Sequence, residues 1–225
     1  MVHRARGFTL VELAIVLVII ALLLGGILKG QELVTSAKIR NLAGDFTAVA
    51  AATYAYQERF QALPGDDSGA SGRWGYGIPD GDRGGSIGGE FCADPSSAGE
   101  SVNFWRHLRL AGLLAGDAGS ADQPANAASG IVGVQTGTGV AKAPDLPGLV
   151  ICSSNLSGKI ASALDAQFDD GKPQTGTVRA YNQARAPLLR GCTVAANVTR
   201  AAAVPNATGY NAADDAELYT LCKAL

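Results

Sequence analysis

The chain has 225 residues, a formal net charge of −2 and 17% charged residues. Its length allows one sizeable domain plus an anchor. The weakly acidic balance argues against nucleic acid as a main partner. With two histidines and no CxxC spacing, the sequence cannot assemble a zinc site of the usual kind. It contains no recognisable nucleophile elbow, phosphate loop or metal quartet, so we predict that the protein is not an enzyme.

An apolar stretch of twenty-one residues runs from Phe8 to Leu28. As a helix it would rise about 30 Å, which is roughly the thickness of one bilayer core. Arg4 and Arg6 precede the stretch, so we expect a single membrane span whose basic end faces the cytoplasm. The alternative is an ordinary signal peptide or signal anchor with a chance glutamate, and Leu24-Gly25-Gly26 offers the small residues that a signal-peptide cleavage site needs.

Glu12 is the one charged residue inside this stretch. A carboxylate within a membrane span costs about 2.5–3.5 kcal/mol, so it normally has a partner and a task. The nearest basic residues, Arg6 and Lys29, lie at the two ends of the span. A new α-amino group on Phe8 would be a suitable partner, but only if the chain were cut after Gly7.

The segment Gly7-Phe8-Thr9-Leu10-Val11-Glu12-Leu13 resembles the class III signal sequence of type IV prepilins and type II secretion pseudopilins. The resemblance implies that a prepilin peptidase cuts between Gly7 and Phe8 on the cytoplasmic side and then N-methylates Phe8. It also implies that Glu12 pairs with the Phe8 amine of a neighbouring subunit during assembly.

The same resemblance implies a structural subunit of an extracellular type IV pilus-like filament. Before assembly the subunit would lie in the bacterial inner membrane, with its amino terminus in the cytoplasm. Its partners would be further copies or other pilin subunits, the prepilin peptidase and an assembly platform in that membrane. Two alternatives stay open: a type II secretion pseudopilin in a periplasmic pseudopilus, and a minor pilin that acts as a tip adhesin or DNA-uptake receptor.

The apolar stretch is expected to continue as one helix over residues 8–60. In its second half, mostly apolar residues recur at spacings of three and four, which places them on one helix face. These residues are Leu42, Phe46, Val49, Thr53, Tyr56 and Phe60. A Pro64-Gly65 turn ends the helix. The predicted parts are a leader (1–7), the long helix with its span at 8–28, and an extracytoplasmic head (61–225).

Three glycines, Gly25, Gly26 and Gly30, fall inside the predicted helix, where each costs about 0.5–1 kcal/mol relative to alanine. In lipid the helix should hold, because its backbone groups find no water there. The resemblance to type IV pili implies that residues 21–30 lose helicity on assembly, and we keep this as a hypothesis.

Several aspartates follow the helix in a glycine-rich stretch. Residues 80–84 (Asp-Gly-Asp-Arg-Gly) resemble the opening of a calcium loop, in which alternate carboxylates converge on one ion. We take Asp66, Asp80 and Asp82 as candidate calcium ligands and expect no other cofactor. The EF-hand pattern is incomplete, because Phe91 occupies its twelfth position. The alternative is a solvated turn in which the aspartates accept backbone N–H groups.

The rest of the chain carries short helical and strand patterns. Periodicity predicts helices over residues 101–115 and 157–169, and β-branched runs predict strands. The predicted strands are 131–134, 149–152, 177–181 and 192–195. The predicted fold class is therefore α+β, with a small antiparallel sheet packed on the amphipathic half of the long helix. We expect His107, which follows Arg106, to face solvent.

All four cysteines come after the span, and an even number on the outer side of a membrane indicates two disulfides. Four cysteines allow three pairings. In type IV pilins a disulfide near the carboxyl terminus encloses a variable region. That resemblance implies a Cys192–Cys222 bridge, and Cys92–Cys152 would then be the second.

Overall fold

The computed structural model describes residues 9–137, 146–182, 209–211 and 217–225. It contains four helices and four strands within these ranges, and the chain divides into two compact units between Lys38 and Ile39. The elements are α1 (Leu10–Phe60), α2 (Ala70–Trp74), α3 (Glu100–Leu110), β1 (Val132–Thr136), β2 (Leu149–Ser157), α4 (Gly158–Phe168), β3 (Val178–Asn182) and β4 (Leu218–Ala224). The predicted α+β class is confirmed.

The first unit contains the start of α1, and we call residues 10–38 the stem. Its large apolar side chains are 46–86% exposed, and by length and composition α1 can cross a membrane. The helix passes through Gly25, Gly26 and Gly30 without a break. Unwinding of this segment would belong to an assembled filament, so that hypothesis stays a prediction.

The second unit is built on the remainder of α1, residues 39–60. The residues with three- and four-residue spacing are buried here, as the periodicity predicts, from Leu42 to Tyr56, and Phe60 is partly buried. They form one core with α3, α4 and the inner face of the sheet. Phe46, for example, meets Phe168 of α4 edge to face, with ring centroids 5.5 Å apart.

The sheet has the strand order β1-β2-β4-β3, and every neighbouring pair is antiparallel. β4, the last strand in sequence, therefore lies in the interior of the sheet. Three of the predicted strands correspond to β1, β2 and β3, whereas β4 was not predicted. The fourth predicted strand, 192–195, lies outside the described residues.

The two predicted helices of the head are present with adjusted ends. α4 spans 158–168, close to the predicted 157–169. α3 stops at Leu110 instead of residue 115, because Gly112 follows with a φ of 72°, a conformation that glycine adopts readily and that turns the chain away.

The predicted disulfide pairing is wrong. Cys152 is bonded to Cys222, which excludes both the Cys192–Cys222 and the Cys92–Cys152 bridge. The physical reason is strand register: β2 and β4 are neighbours, and Cys152 lies directly opposite Cys222. Cys92 is also disulfide-bonded, and Cys192, the remaining cysteine of the sequence, lies outside the described residues.

Candidate functional site

The amino terminus of α1 is organised by two side chains, Thr9 and Glu12. The Glu12 carboxylate accepts hydrogen bonds from the Thr9 backbone N–H (2.9 Å) and from the Thr9 hydroxyl (2.8 Å). In return, the Glu12 N–H donates to the Thr9 hydroxyl oxygen at 3.3 Å. This reciprocal arrangement is a capping box, which satisfies donors that the first turn of a helix otherwise leaves unpaired.

The capping box gives Glu12 hydrogen-bond donors but no positive charge. Within residues 9–137, no basic side chain lies within ion-pair distance of Glu12. Lys29, at the far end of the apolar stretch, is bound to Glu32 at 2.6 Å. The sequence pattern anticipated a carboxylate without a counter-charge, but it did not anticipate the hydrogen bonds from Thr9, although the spacing Thr-x-x-Glu was there to be found.

The expected cleavage and methylation residues, Gly7 and Phe8, lie outside the described residues. Their roles therefore stay predictions. The structure contributes the position of the next residue: Thr9 precedes the first helical residue, Leu10, so an amine on Phe8 would be joined directly to the helix cap.

The acidic loop after α1 brings together two of the three candidate calcium ligands. Carboxylate oxygens of Asp66, Asp82 and Glu100 all lie within 4.8 Å of one another. Glu100, at the start of α3, was missed by the sequence analysis, because it is 18 positions from the aspartate pattern. Asp80 is not part of this group: its oxygens accept from the backbone N–H and hydroxyl of Ser71, which lower the pKa of Asp80.

The three carboxylates already have protein donors. Asp66, which is 2% exposed, accepts from the backbone N–H groups of Gly84 and Gly85, at 2.9 and 2.8 Å. Glu100 accepts from the N–H groups of Gly88 and Asp82. The group therefore has the composition of a calcium site and also the hydrogen bonds of a closed turn, and the calcium prediction stays untested.

Asp67 fixes the same loop to α1. It is 3% exposed and accepts from the Tyr56 hydroxyl at 2.6 Å and from the Gly69 N–H at 2.9 Å. Arg73 forms an ion pair with the same carboxylate. Burial raises the pKa of Tyr56 to about 12, so its hydroxyl stays protonated and remains a donor at neutral pH.

The prediction that His107 faces solvent is wrong: its side chain is fully buried. Its Nδ1 accepts the Gly65 N–H at 2.9 Å, and its Nε2 lies 3.1 Å from the Pro79 carbonyl oxygen. Tyr56 stacks on the ring. The partners are distant in sequence, so the neighbouring Arg106 was a misleading signal.

A family model described as the prokaryotic N-terminal methylation motif matches residues 2–28. No curated protein and no solved structure matches the chain.

Proposed function

Because residues 2–28 carry the prepilin signal of type IV pilins and pseudopilins, we propose that this protein is a structural subunit of an extracellular type IV pilus-like filament. It is made as a single-pass protein of the bacterial inner membrane. Prepilin peptidase then cleaves it after Gly7 and methylates the amine of Phe8. An assembly platform in the same membrane adds the processed subunit to a filament of further copies or other pilin subunits.

The observation that carries this proposal is the stem that follows the signal. Its large apolar side chains are at least 46% exposed among the described residues. Lipid covers such a surface before assembly, and the stems of other subunits cover it afterwards. Subunits that stack head to tail form an interface that does not close on itself, which is the geometry of a fibre.

Glu12 determines the register of stacking in this proposal. A carboxylate moved among apolar stems is stabilised only where a cation meets it, and the Phe8 amine of an adjacent subunit is that cation. The capping box prepares the carboxylate, because Thr9 fixes it at the first turn of the helix. Removing Glu12 then leaves a buried, unpaired amine in every subunit contact.

We therefore expect Glu12→Ala to be cleaved normally but to assemble poorly. Filament yield would be measured by shearing and sedimentation, and cleavage by the mass of the mature protein. Glu32→Ala is the matched control, because it removes an acid from the same helix that is already paired with Lys29. Wild-type filament yield from Glu12→Ala cells would refute the proposed role of Glu12.

Thr9→Val separates the two tasks of Glu12. It removes the hydroxyl of the capping box but leaves the carboxylate charge in place. A missing cap costs about 1 kcal/mol of helix stability, so Thr9→Val should reduce filament yield less than Glu12→Ala does. Equal losses in the two variants would mean that Glu12 acts through the cap and not through a neighbouring subunit.

The mass of the mature amino terminus tests the processing step directly. The proposal requires a chain that begins at Phe8 and carries one additional methyl group. Secreted material that begins at Met1, or beyond the stem, would exclude assembly through this segment.

A further inference from the structure

The loop between α1 and α3 is closed at both ends by one side chain. We call residues 64–82 the clasped loop. His107, on α3, contacts Gly65 near the beginning of the loop and Pro79 near its end. A backbone hydrogen bond from the Gly81 N–H to the Asp67 carbonyl oxygen, 3.1 Å long, joins the same two ends.

The hydrogen bonds determine which form of the imidazole fits. A backbone N–H can only donate, so Nδ1 must accept the Gly65 hydrogen and carries no proton itself. The single ring proton is then on Nε2 and is donated to the Pro79 carbonyl oxygen. The contacts are complementary to neutral imidazole and to this tautomer alone.

Protonation destroys one of the two contacts. In imidazolium both nitrogens are donors, so a proton on Nδ1 would point at the Gly65 N–H across 2.9 Å. The Gly65 donor would then be buried without an acceptor, which is costly. From these contacts we propose that His107 is an acid-sensitive clasp: neutral, it holds the loop closed, and protonated, it releases the Gly65 end.

The groups around the His107 ring determine the pH at which it is protonated. Tyr56 from α1 and Trp74 from α2 pack against it, with ring centroids 6.3 and 5.9 Å away. Burial lowers the pKa of His107 to about 4, and the charges of Arg73 and Arg106 act in the same direction. Asp80 and the Pro79 carbonyl oppose this shift. Tyr56 remains neutral, and the charge of Asp67 is paired with Arg73.

Release has a local consequence. The Gly65 end carries Asp66, whose carboxylate holds the turn at Gly84 and Gly85. Opening this end therefore separates the carboxylates of Asp66, Asp82 and Glu100 from one another. Asp67 stays attached to Tyr56 and Arg73, so the opening is confined to one end of the loop.

The test follows the imidazole and the loop in one sample. The chain has two histidines, so a His3→Gln protein in detergent micelles leaves His107 as the only imidazole. Histidine-labelled NMR should show the neutral ring protonated on Nε2 at pH 7. Protection of the Gly65 amide against hydrogen exchange should fall about tenfold for each pH unit between 6.5 and 4, because the open loop binds the proton more tightly.

His107→Gln is the matched variant, because an amide can accept from Gly65 and donate to Pro79 but does not titrate. Its Gly65 protection should stay constant over the same pH range. Asp165→Asn removes a fully buried carboxyl group on α4, outside the clasped loop, and should leave acid opening unchanged.

Two outcomes would overturn the clasp. One is a His107 ring that titrates near pH 6.5 while Gly65 stays protected. The other is an identical acid profile for Gly65 in His107→Gln. Should that variant fail to fold, the coincidence of ring titration and Gly65 exchange in the parent protein decides the question alone.

Discussion

The two parts of α1 share one helix but have opposite environments. In the stem, residues 10–38, large apolar side chains are at least 46% exposed, whereas Leu42 and Tyr56 in the second part are fully buried. From Leu13 to Leu28 the stem is apolar on all sides, and the second part is apolar on one face. A helix of the first kind depends on an apolar environment outside its own domain, and one of the second kind is stabilised by its own domain.

The largest contrast should come from truncating one side chain in each part. Phe46→Ala leaves a cavity beside Phe168 and should lower the free energy of unfolding of the head by about 3–5 kcal/mol. Leu17→Ala, at a side chain that is 66% exposed, should change it by less than about 0.5 kcal/mol. Chemical denaturation in micelles measures both, and similar losses would break the comparison.

The Cys152–Cys222 bond extends the comparison to the sheet. Replacing both cysteines by alanine should lower the stability of the head by about 3–4 kcal/mol, because the bond closes a long loop with a sequence separation of 70. The helicity of the stem should not change. Peptide mapping without reduction should recover residues 152 and 222 in one linked pair, and a linked pair of Cys192 and Cys222 would contradict the structure.

Acid should lower the stability of the domain that contains the second part of α1, and it should leave the stem unaffected. The pKa of His107 is about 4 in the fold and about 6.5 in an unfolded chain, so the unfolded state binds the proton first. Its contribution to stability is therefore complete above pH 6.5 and falls by up to about 3 kcal/mol as the pH drops to 4.

Thermal unfolding as a function of pH measures this loss of stability. The pH range of the loss distinguishes the titration of His107 from that of the aspartates. Ordinary aspartates titrate near pH 4, at the lower limit of the range. In His107→Gln the slope between pH 6.5 and pH 4.5 should be largely absent. A slope equal to that of the parent protein would assign the acid sensitivity to other groups.

Calcium should have the smallest effect, and only on the head. An ion at Asp66, Asp82 and Glu100 would raise the melting temperature by an amount set by its affinity. Glu100→Gln would lose this response, and Asp80→Asn would keep it because Asp80 lies outside the group. An unchanged melting temperature on adding EGTA would refute the ion.

Local patterns accounted for much of the fold. The spacing of Leu42, Phe46, Val49, Thr53 and Tyr56 identified the buried face of α1, because helical periodicity depends only on near neighbours. β4 was missed because positions 219–222 are all buried, so its sequence lacks the alternation of apolar and polar residues that marks a strand with one exposed face.

Contacts distant in sequence could not be predicted in the same way. The Cys152–Cys222 bond follows from strand order and register, which four cysteine positions do not reveal. The burial of His107 depends on Gly65 and Pro79, which lie 42 and 28 residues away. Glu100 was not predicted for the same reason, because the fold of α3 brings its carboxylate next to those of Asp66 and Asp82.

The interior position of β4 bears on how the protein is made. Of the four described strands, β4 leaves the ribosome last, yet in the described sheet β2 pairs with β1 and β4, and β3 pairs with β4. Until residues 218–224 have been made, β2 lacks one of its two described neighbours and β3 lacks its described neighbour, and unpaired strand edges invite aggregation. The interval between the appearance of β2 and that of β4 is therefore when the nascent chain most needs protection from aggregation.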